Sequence, residues 1–175
     1  MIFIKMKQLL ESSLKSAILY GQHYLANGKV ASYIPELAKA DPHQLGLCLI
    51  TKEKEIYHAG DWLVPFTMQS ISKTFSLIAA LQTAGYQKVF SKVGMEPTGD
   101  GFDSIVQLET KQLIPFNPMI NAGAIFTVSC IDSKDPVQQF MDLVHKLCAN
   151  NEIEINEATY LSEKKAGMRN RSIAY

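Results

Sequence analysis

The chain has 175 residues, 47% hydrophobic and 19% charged, the make-up of an ordinary soluble globular protein with apolar surface for one core. Lysine plus arginine and aspartate plus glutamate each number 17, so no overall field draws the chain to nucleic acid, an anionic membrane or a highly charged substrate. Small neutral or zwitterionic ligands remain, and an odd set of three cysteines with four scattered histidines points to buried, reduced thiols and no metal site.

The opening residues from Met1 to Leu10 are interrupted by Lys5 and Lys7 and meet Glu11 before any stretch long enough for a signal peptide develops. No run approaches the about 20 apolar residues of a membrane span, so a reducing, cytoplasmic home is expected. Met6 precedes the first clearly periodic segment, which leaves open a translation start at Met6 rather than Met1. From about Met6 to Leu25, apolar Leu9, Leu10, Leu14, Ala17, Ile18 and Leu25 recur at helical spacing and predict an amphipathic helix ending near Asn27-Gly28. An extended connector from Lys29 to Pro35 follows.

After the turn Asp41-Pro42-His43, apolar residues 45–50, charged residues 52–55 and apolar Ile56-Tyr57-His58-Ala59 predict a β-hairpin. Gly60-Asp61 turns the chain into Trp62-Leu63-Val64-Pro65-Phe66. From Ser70 the period becomes helical, with Phe75, Leu77, Ile78, Leu81 and Ala84 before Gly85, and this helix is expected to be largely buried. Ser91 to Gln107 is rich in glycine and turn residues. A helix of small and apolar residues opens in the block from Asn117 to Ile125 and runs to about Ile131, and another from about Pro136 to Ala149 carries Val137, Phe140, Met141, Val144 and Leu147 on one face. The stretch from Asn156 to Tyr175 is polar, shows no terminating signal and ends in the middle of a helical pattern.

A serine three residues before a lysine places hydroxyl and amine on one helix face, near enough to share a proton. Three such pairs occur: Ser12 with Lys15, Ser70 with Lys73, and Ser162 with Lys165. The first and third sit among charged residues, where solvent keeps lysine near a pKa of about 10.4 and almost wholly protonated at neutral pH. Only Ser70 and Lys73 open an apolar helix. Burying Lys73 beside Phe66, Phe75 and Leu77 would disfavour its ammonium form, and a depression of about three pKa units, roughly 4 kcal/mol, would make it a usable base. The Ser70 N–H at a helix start is free to face a developing oxyanion. On spacing alone a plainer alternative stays open, with Ser70 as a helix cap and Lys73 as a surface residue with a buried stem.

The residues from Pro65 to Lys73, Pro-Phe-Thr-Met-Gln-Ser-Ile-Ser-Lys, resemble the nucleophile segment of serine-dependent glutaminases of the β-lactamase and penicillin-binding-like superfamily. Four further blocks agree in order: Gly28 to Leu37, Val93 to Gly99, Asn117 to Ile125, and Ser162-Glu163 with Arg169-Asn170. The likeness runs from about Gly28 to Tyr175. It implies an α+β fold of the β-lactamase/transpeptidase type, an antiparallel sheet flanked by helices beside a helical subdomain. On that pattern 1–175 is an incomplete catalytic domain: about 1–27 an N-terminal helix, 28–90 the start of the sheet and the nucleophile helix, 91–175 the helical subdomain.

The resemblance makes Ser70 the nucleophile and Lys73 its base in hydrolysis of L-glutamine to L-glutamate and ammonia through an acyl-enzyme. Substrate-binding positions fall on Tyr33, Gln69, Ser70, Asn121, Glu163 and Asn170. Glu163 suits an α-ammonium, whereas the amides of Asn121 and Asn170 and the Tyr33 hydroxyl suit an α-carboxylate. No cofactor is implied, and a full-length homo-oligomer, dimer or tetramer, is. The family extends well past the position of Tyr175, so the chain alone is expected to be inactive or nearly so. Two other readings compete: another penicillin-recognising serine acyl hydrolase, although Ser-Asp-Asn and Lys-Thr-Gly are absent here, and a non-catalytic truncated paralogue.

Overall fold

The computed structural model describes residues 2–104 and 114–174. Residues 105–107 of the expected turn-rich segment lie outside these, as do Met1 and Tyr175. The chain divides into two compact units, Met1–Phe66 and Thr67–Tyr175.

In the first unit the expected amphipathic helix is α1, Ile2–Gln22. It begins earlier than the periodicity indicated, because no cap, glycine or proline interrupts the residues before Met6, and it gives way to a 3-10 turn, Leu25–Asn27. A second 3-10 turn, Pro35–Lys39, has its proline at the first position, where the missing N–H costs nothing. Strands β1, Gly46–Ile50, and β2, Ile56–Gly60, form the predicted hairpin, antiparallel with Cys48 opposite His58. Tyr57 and Ala59 alternate inward on β2, which packs on α1, where Ile18 is buried. Gly60 closes the hairpin at φ +66, and a Cβ there would lie 2.2 Å from the Leu45 carbonyl oxygen, so only glycine fits. Asp61 fastens the same end: its N–H donates to Leu45 O, and its carboxylate accepts from Leu45 N, both at 3.0 Å.

The second unit is helical. A 3-10 turn, Gln69–Ile71, leads into α2, Ser72–Ala84, and Gly85 at φ +81 separates it from a short α3, Tyr86–Phe90. Helix α4 spans Asn121–Val128, α5 Pro136–Cys148, α6 Glu157–Ala166 and α7 Met168–Ala174. The core joins Ala79 and Ala80 of α2 to Val89 of α3, Cys130 and Ile131 after α4, and Leu143 of α5. The small Ala79 and Ala80 let these elements approach closely. Full burial on α2 is confined to Ser76, Ala79 and Ala80, with Leu77, Ile78, Leu81 and Ala84 partly buried against the core, and the shorter α4 is the more apolar helix.

Helix α4 starts later than the sequence pattern indicated because Asn117 caps a turn ahead of it, its Oδ1 accepting from Met119 N at 3.0 Å and Ile120 N at 3.3 Å. The chain passes so close behind α4 that a Cβ on Gly123 would lie 1.8 Å from Asn117 O. Helix α5 is capped by Asp135, which accepts from Gln138 N at 3.0 Å, and α6 by Asn156, which accepts from Thr159 N at 2.8 Å. Of the three cysteines, all free, Cys130 is buried as expected, whereas Cys48 and Cys148 are exposed.

Candidate active site

The Ser-x-x-Lys pair at positions 70 and 73 spans two elements. Ser70 is exposed in the 3-10 turn, and α2 begins at Ser72. Ahead of Ser70, Gln69 holds φ +46, a left-handed conformation seldom adopted by a residue with a side chain. The Gln69 side-chain Nε2 donates to Thr67 Oγ1 at 3.1 Å. Ser70 is not a cap: no side-chain bond closes the start of either the 3-10 turn or α2. Its N–H has no backbone acceptor among the described residues.

Lys73, on the first turn of α2, points inward rather than along the surface. Its Nζ donates to the Met119 carbonyl and to Asn121 Oδ1, each at 2.8 Å, and stands 5.9 Å from the centroid of the Phe102 ring. Burial holds the Lys73 pKa below its ordinary 10.5. Both acceptors favour the ammonium, but neither carries a charge, and withdrawal from water prevails. Of the Phe66, Phe75 and Leu77 side chains expected to bury it, Phe66 is itself 82% exposed.

A neutral amine keeps two N–H donors and one lone pair. Met119 O and Asn121 Oδ1 match those two donors, so loss of the third proton leaves no acceptor stranded. Ser70 Oγ is not hydrogen-bonded to Nζ in this structure. The other two pairs look different: Ser12 donates its hydroxyl to Leu9 O at 2.9 Å, and Ser162 lies on the polar helix α6.

Of the expected binding residues, Asn121 and Asn170 are brought together. Asn121, the first residue of α4, links Lys73 to Asn170 on α7 through its Nδ2, 3.4 Å from Asn170 Oδ1. Its side chain is thus spent on the site and not on capping α4, whose cap position is Ile120. Glu163 is exposed on α6, where its carbonyl accepts from Gly167 N at the junction with α7. Tyr33 belongs to the first unit and is 69% exposed.

Sequence reasoning missed Met119, Phe102, Asp103 and Arg169 as parts of this cluster. Phe102 O accepts from Asn121 N at 2.8 Å, and Asp103 Oδ2 accepts from Arg169 Nη1 at 2.9 Å. Among the described residues no three His, Cys, Asp or Glu side chains converge to hold a metal ion, and no helix is long and apolar enough to cross a membrane.

Comparison with known proteins gives this geometry its context. A family model described as glutaminase matches residues 28–175. Glutaminase 2 of Clostridium perfringens (strain 13 / Type A) is 45% identical over 174 residues, which cover 97% of this chain and 56% of that protein. A probable glutaminase of Bacillus subtilis superposes with a TM-score of 0.83 at 37% identity, covering 94% of this chain and 51% of that one. A covalent complex of Bacillus subtilis glutaminase with 5-oxo-L-norleucine, formed by reaction with 6-diazo-5-oxo-L-norleucine, matches with a TM-score of 0.81 at 35% identity, over 94% and 51% of the two chains. The chain thus spans about half the length of the relatives it matches. Its fold is the α+β, β-lactamase-like one of those glutaminases. The match leaves the penicillin-recognising alternative without support, and the chain belongs to the glutaminase family.

Proposed function

We propose that these residues carry out the acyl-transfer chemistry of L-glutamine hydrolysis, with Ser70 as nucleophile and Lys73 as its base. The observation that carries the reading is the Lys73 amine, half-buried and hydrogen-bonded at 2.8 Å to two uncharged acceptors that match the donors of its neutral form. Lys73 Nζ takes the Ser70 hydroxyl proton as Oγ attacks the side-chain carbonyl carbon of glutamine. The tetrahedral oxyanion faces the Ser70 N–H, which has no backbone acceptor of its own among the described residues. Collapse breaks the carbon–nitrogen bond, and the Lys73 ammonium returns the proton to the departing ammonia. Water, deprotonated by the same amine, then attacks the ester, releasing L-glutamate and restoring Ser70.

The strained Gln69 fits this reading, because left-handed backbone directly before a nucleophile is a place where conformational strain serves function. The long 3.4 Å contact between Asn121 Nδ2 and Asn170 can yield to a substrate α-carboxylate, which both amides would then share. Glu163 would meet the α-ammonium. Gln69 and Tyr33 enter as binding residues on family likeness. The reagent from which the Bacillus subtilis complex formed, 6-diazo-5-oxo-L-norleucine, has the glutamine skeleton with a diazoketone in place of the amide, so its ketone carbon corresponds to the scissile carbonyl carbon and attack on the adjacent carbon expels dinitrogen. A cytoplasmic location, supported by three free cysteines, and self-association of the full-length protein complete the proposal. Treatment with 6-diazo-5-oxo-L-norleucine should leave a covalent adduct on Ser70, protected by L-glutamine and absent in Ser70→Ala. An adduct elsewhere, or one indifferent to glutamine, would overturn the assignment.

A further inference from the structure

Among the described residues, two segments far apart in sequence meet at Asn121, and each contributes two consecutive residues. From the turn at 101–104, Phe102 supplies the carbonyl that accepts from Asn121 N at 2.8 Å, and its ring stands over Lys73 Nζ at 5.9 Å. The next residue, Asp103, accepts from Arg169 Nη1 at 2.9 Å. Arg169 in turn precedes Asn170, whose Oδ1 receives Asn121 Nδ2. We propose that the Asp103–Arg169 ion pair is a positioning pair: it ties the 101–104 turn to α7, and so fixes Phe102 over Lys73 and Asn170 against the Asn121 amide that holds Lys73.

Three features favour positioning over general stability. Both partners are half exposed, 55% for Arg169 and 53% for Asp103, and ion pairs in that setting contribute little to global stability. Helix α7 has only seven residues, none of them buried, and its recurrent packing partner is α4, so a tether matters more there than on a well-packed helix. Gly101 leaves room for the carboxylate, since a Cβ at that position would sit 3.1 Å from Asp103 Oδ1. The pair acts through Asn121 and Phe102 and touches no reacting atom, and burial alone accounts for the altered basicity of Lys73. This inference rests on the proposed role of Lys73.

The test compares Asp103→Asn, Arg169→Gln and the charge-swapped double variant Asp103→Arg/Arg169→Asp in the full 175-residue chain. Lysine side-chain NMR, with the Lys73 signal assigned from Lys73→Arg, gives the Lys73 titration. A field effect would move the two single variants in opposite directions, because one removes a negative charge and the other a positive one. Positioning predicts the same direction for both, upward toward the ordinary lysine value as Phe102 swings away and water enters, with recovery in the swapped pair. Labelling of Ser70 by 6-diazo-5-oxo-L-norleucine should slow on the order of fivefold to tenfold in each single variant, with the melting temperature nearly unchanged. Opposite or absent shifts, or a swapped variant no better than the singles, would overturn the inference. The Asn121 side-chain amide signals, read in the same samples, report the Asn170 contact directly. If wild-type Lys73 titrates as an ordinary lysine, the proposed base fails, while the positioning claim still stands or falls on whether those amide signals move in both single variants.

Discussion

Replacing Asn121 by aspartate keeps the shape of the side chain and changes its charge. Oδ1 would still accept from Lys73 Nζ at 2.8 Å, but as part of a carboxylate, and the Nδ2 donor to Asn170 would be lost. An opposite charge this close favours the ammonium by about one to three pKa units. Because Lys73 is only half-buried and water screens the pair, about one to two units is the expectation, a tenfold to hundredfold smaller neutral fraction at a given pH below the pKa. Labelling of Ser70 should slow by the same factor, and its pH midpoint should rise with that of Lys73. The effect on stability has the opposite sign to that on reactivity. In the wild type the folded pKa lies below 10.5, so the unfolded chain binds more protons in the window between, and stability rises with pH there. In Asn121→Asp the folded value is raised relative to the wild type, so the ion pair makes the variant more stable than it would be without the added charge below the wild-type folded pKa, and that gain disappears as pH climbs through the variant's own folded pKa. Urea titrations at several pH values check the second point, and the labelling rate checks the first. An unchanged Lys73 titration, or faster labelling at Ser70, would refute the idea that uncharged acceptors keep the amine reactive.

Gly123→Ala should destabilise the second unit by about 2–4 kcal/mol in urea melts, because the new methyl meets Asn117 O, which cannot retreat while Asn117 is tied to Glu96 O at 2.8 Å and to two N–H groups. Asp135→Ala removes the cap of α5 and should cost about 1 kcal/mol, with Asp135→Ser recovering most of it. Ammonia release by the 175-residue polypeptide alone should be far below that of ordinary enzymes, since it spans about half the length of its relatives. Brisk turnover lost in Ser70→Ala would show that these residues suffice.

The parts of the fold that were legible in the sequence are those where local chemistry and burial agree. Apolar runs on either side of Lys52–Glu55 fixed the hairpin, and the Asp135-Pro136 start with one apolar face fixed α5. Helix α6 and the start of α7 were opaque because polar residues dominate them, although Asn156 as a cap and Gly167 as a break were available signals, and only the end of α7 showed as a helical pattern. The importance of Lys73 was legible from its apolar helix, but its surroundings were not. Asn121 reaches it across 48 residues, Met119 contributes only a backbone oxygen, and Phe102 sits in a turn with no periodicity. The Asp103–Arg169 pair spans 66 residues, and no local pattern announces such a contact. Placing Ser70 on α2 followed from spacing, whereas the backbone reverses hand at Gln69 and makes a separate turn first.

If Ser70 owes its reactivity to the Lys73 amine beside Asn121 and Met119, its rate of attack must follow the titration of that amine. Stoichiometric labelling by 6-diazo-5-oxo-L-norleucine, which alkylates the attacking oxygen with loss of dinitrogen, registers even slow nucleophilic attack, so its rate at Ser70 can be followed across pH next to the Lys73 titration in the same protein. One shared midpoint below 10.5 is expected, with loss of labelling in Lys73→Met. A Ser70 labelling rate that ignores the Lys73 titration, or that survives Lys73→Met, would contradict that dependence.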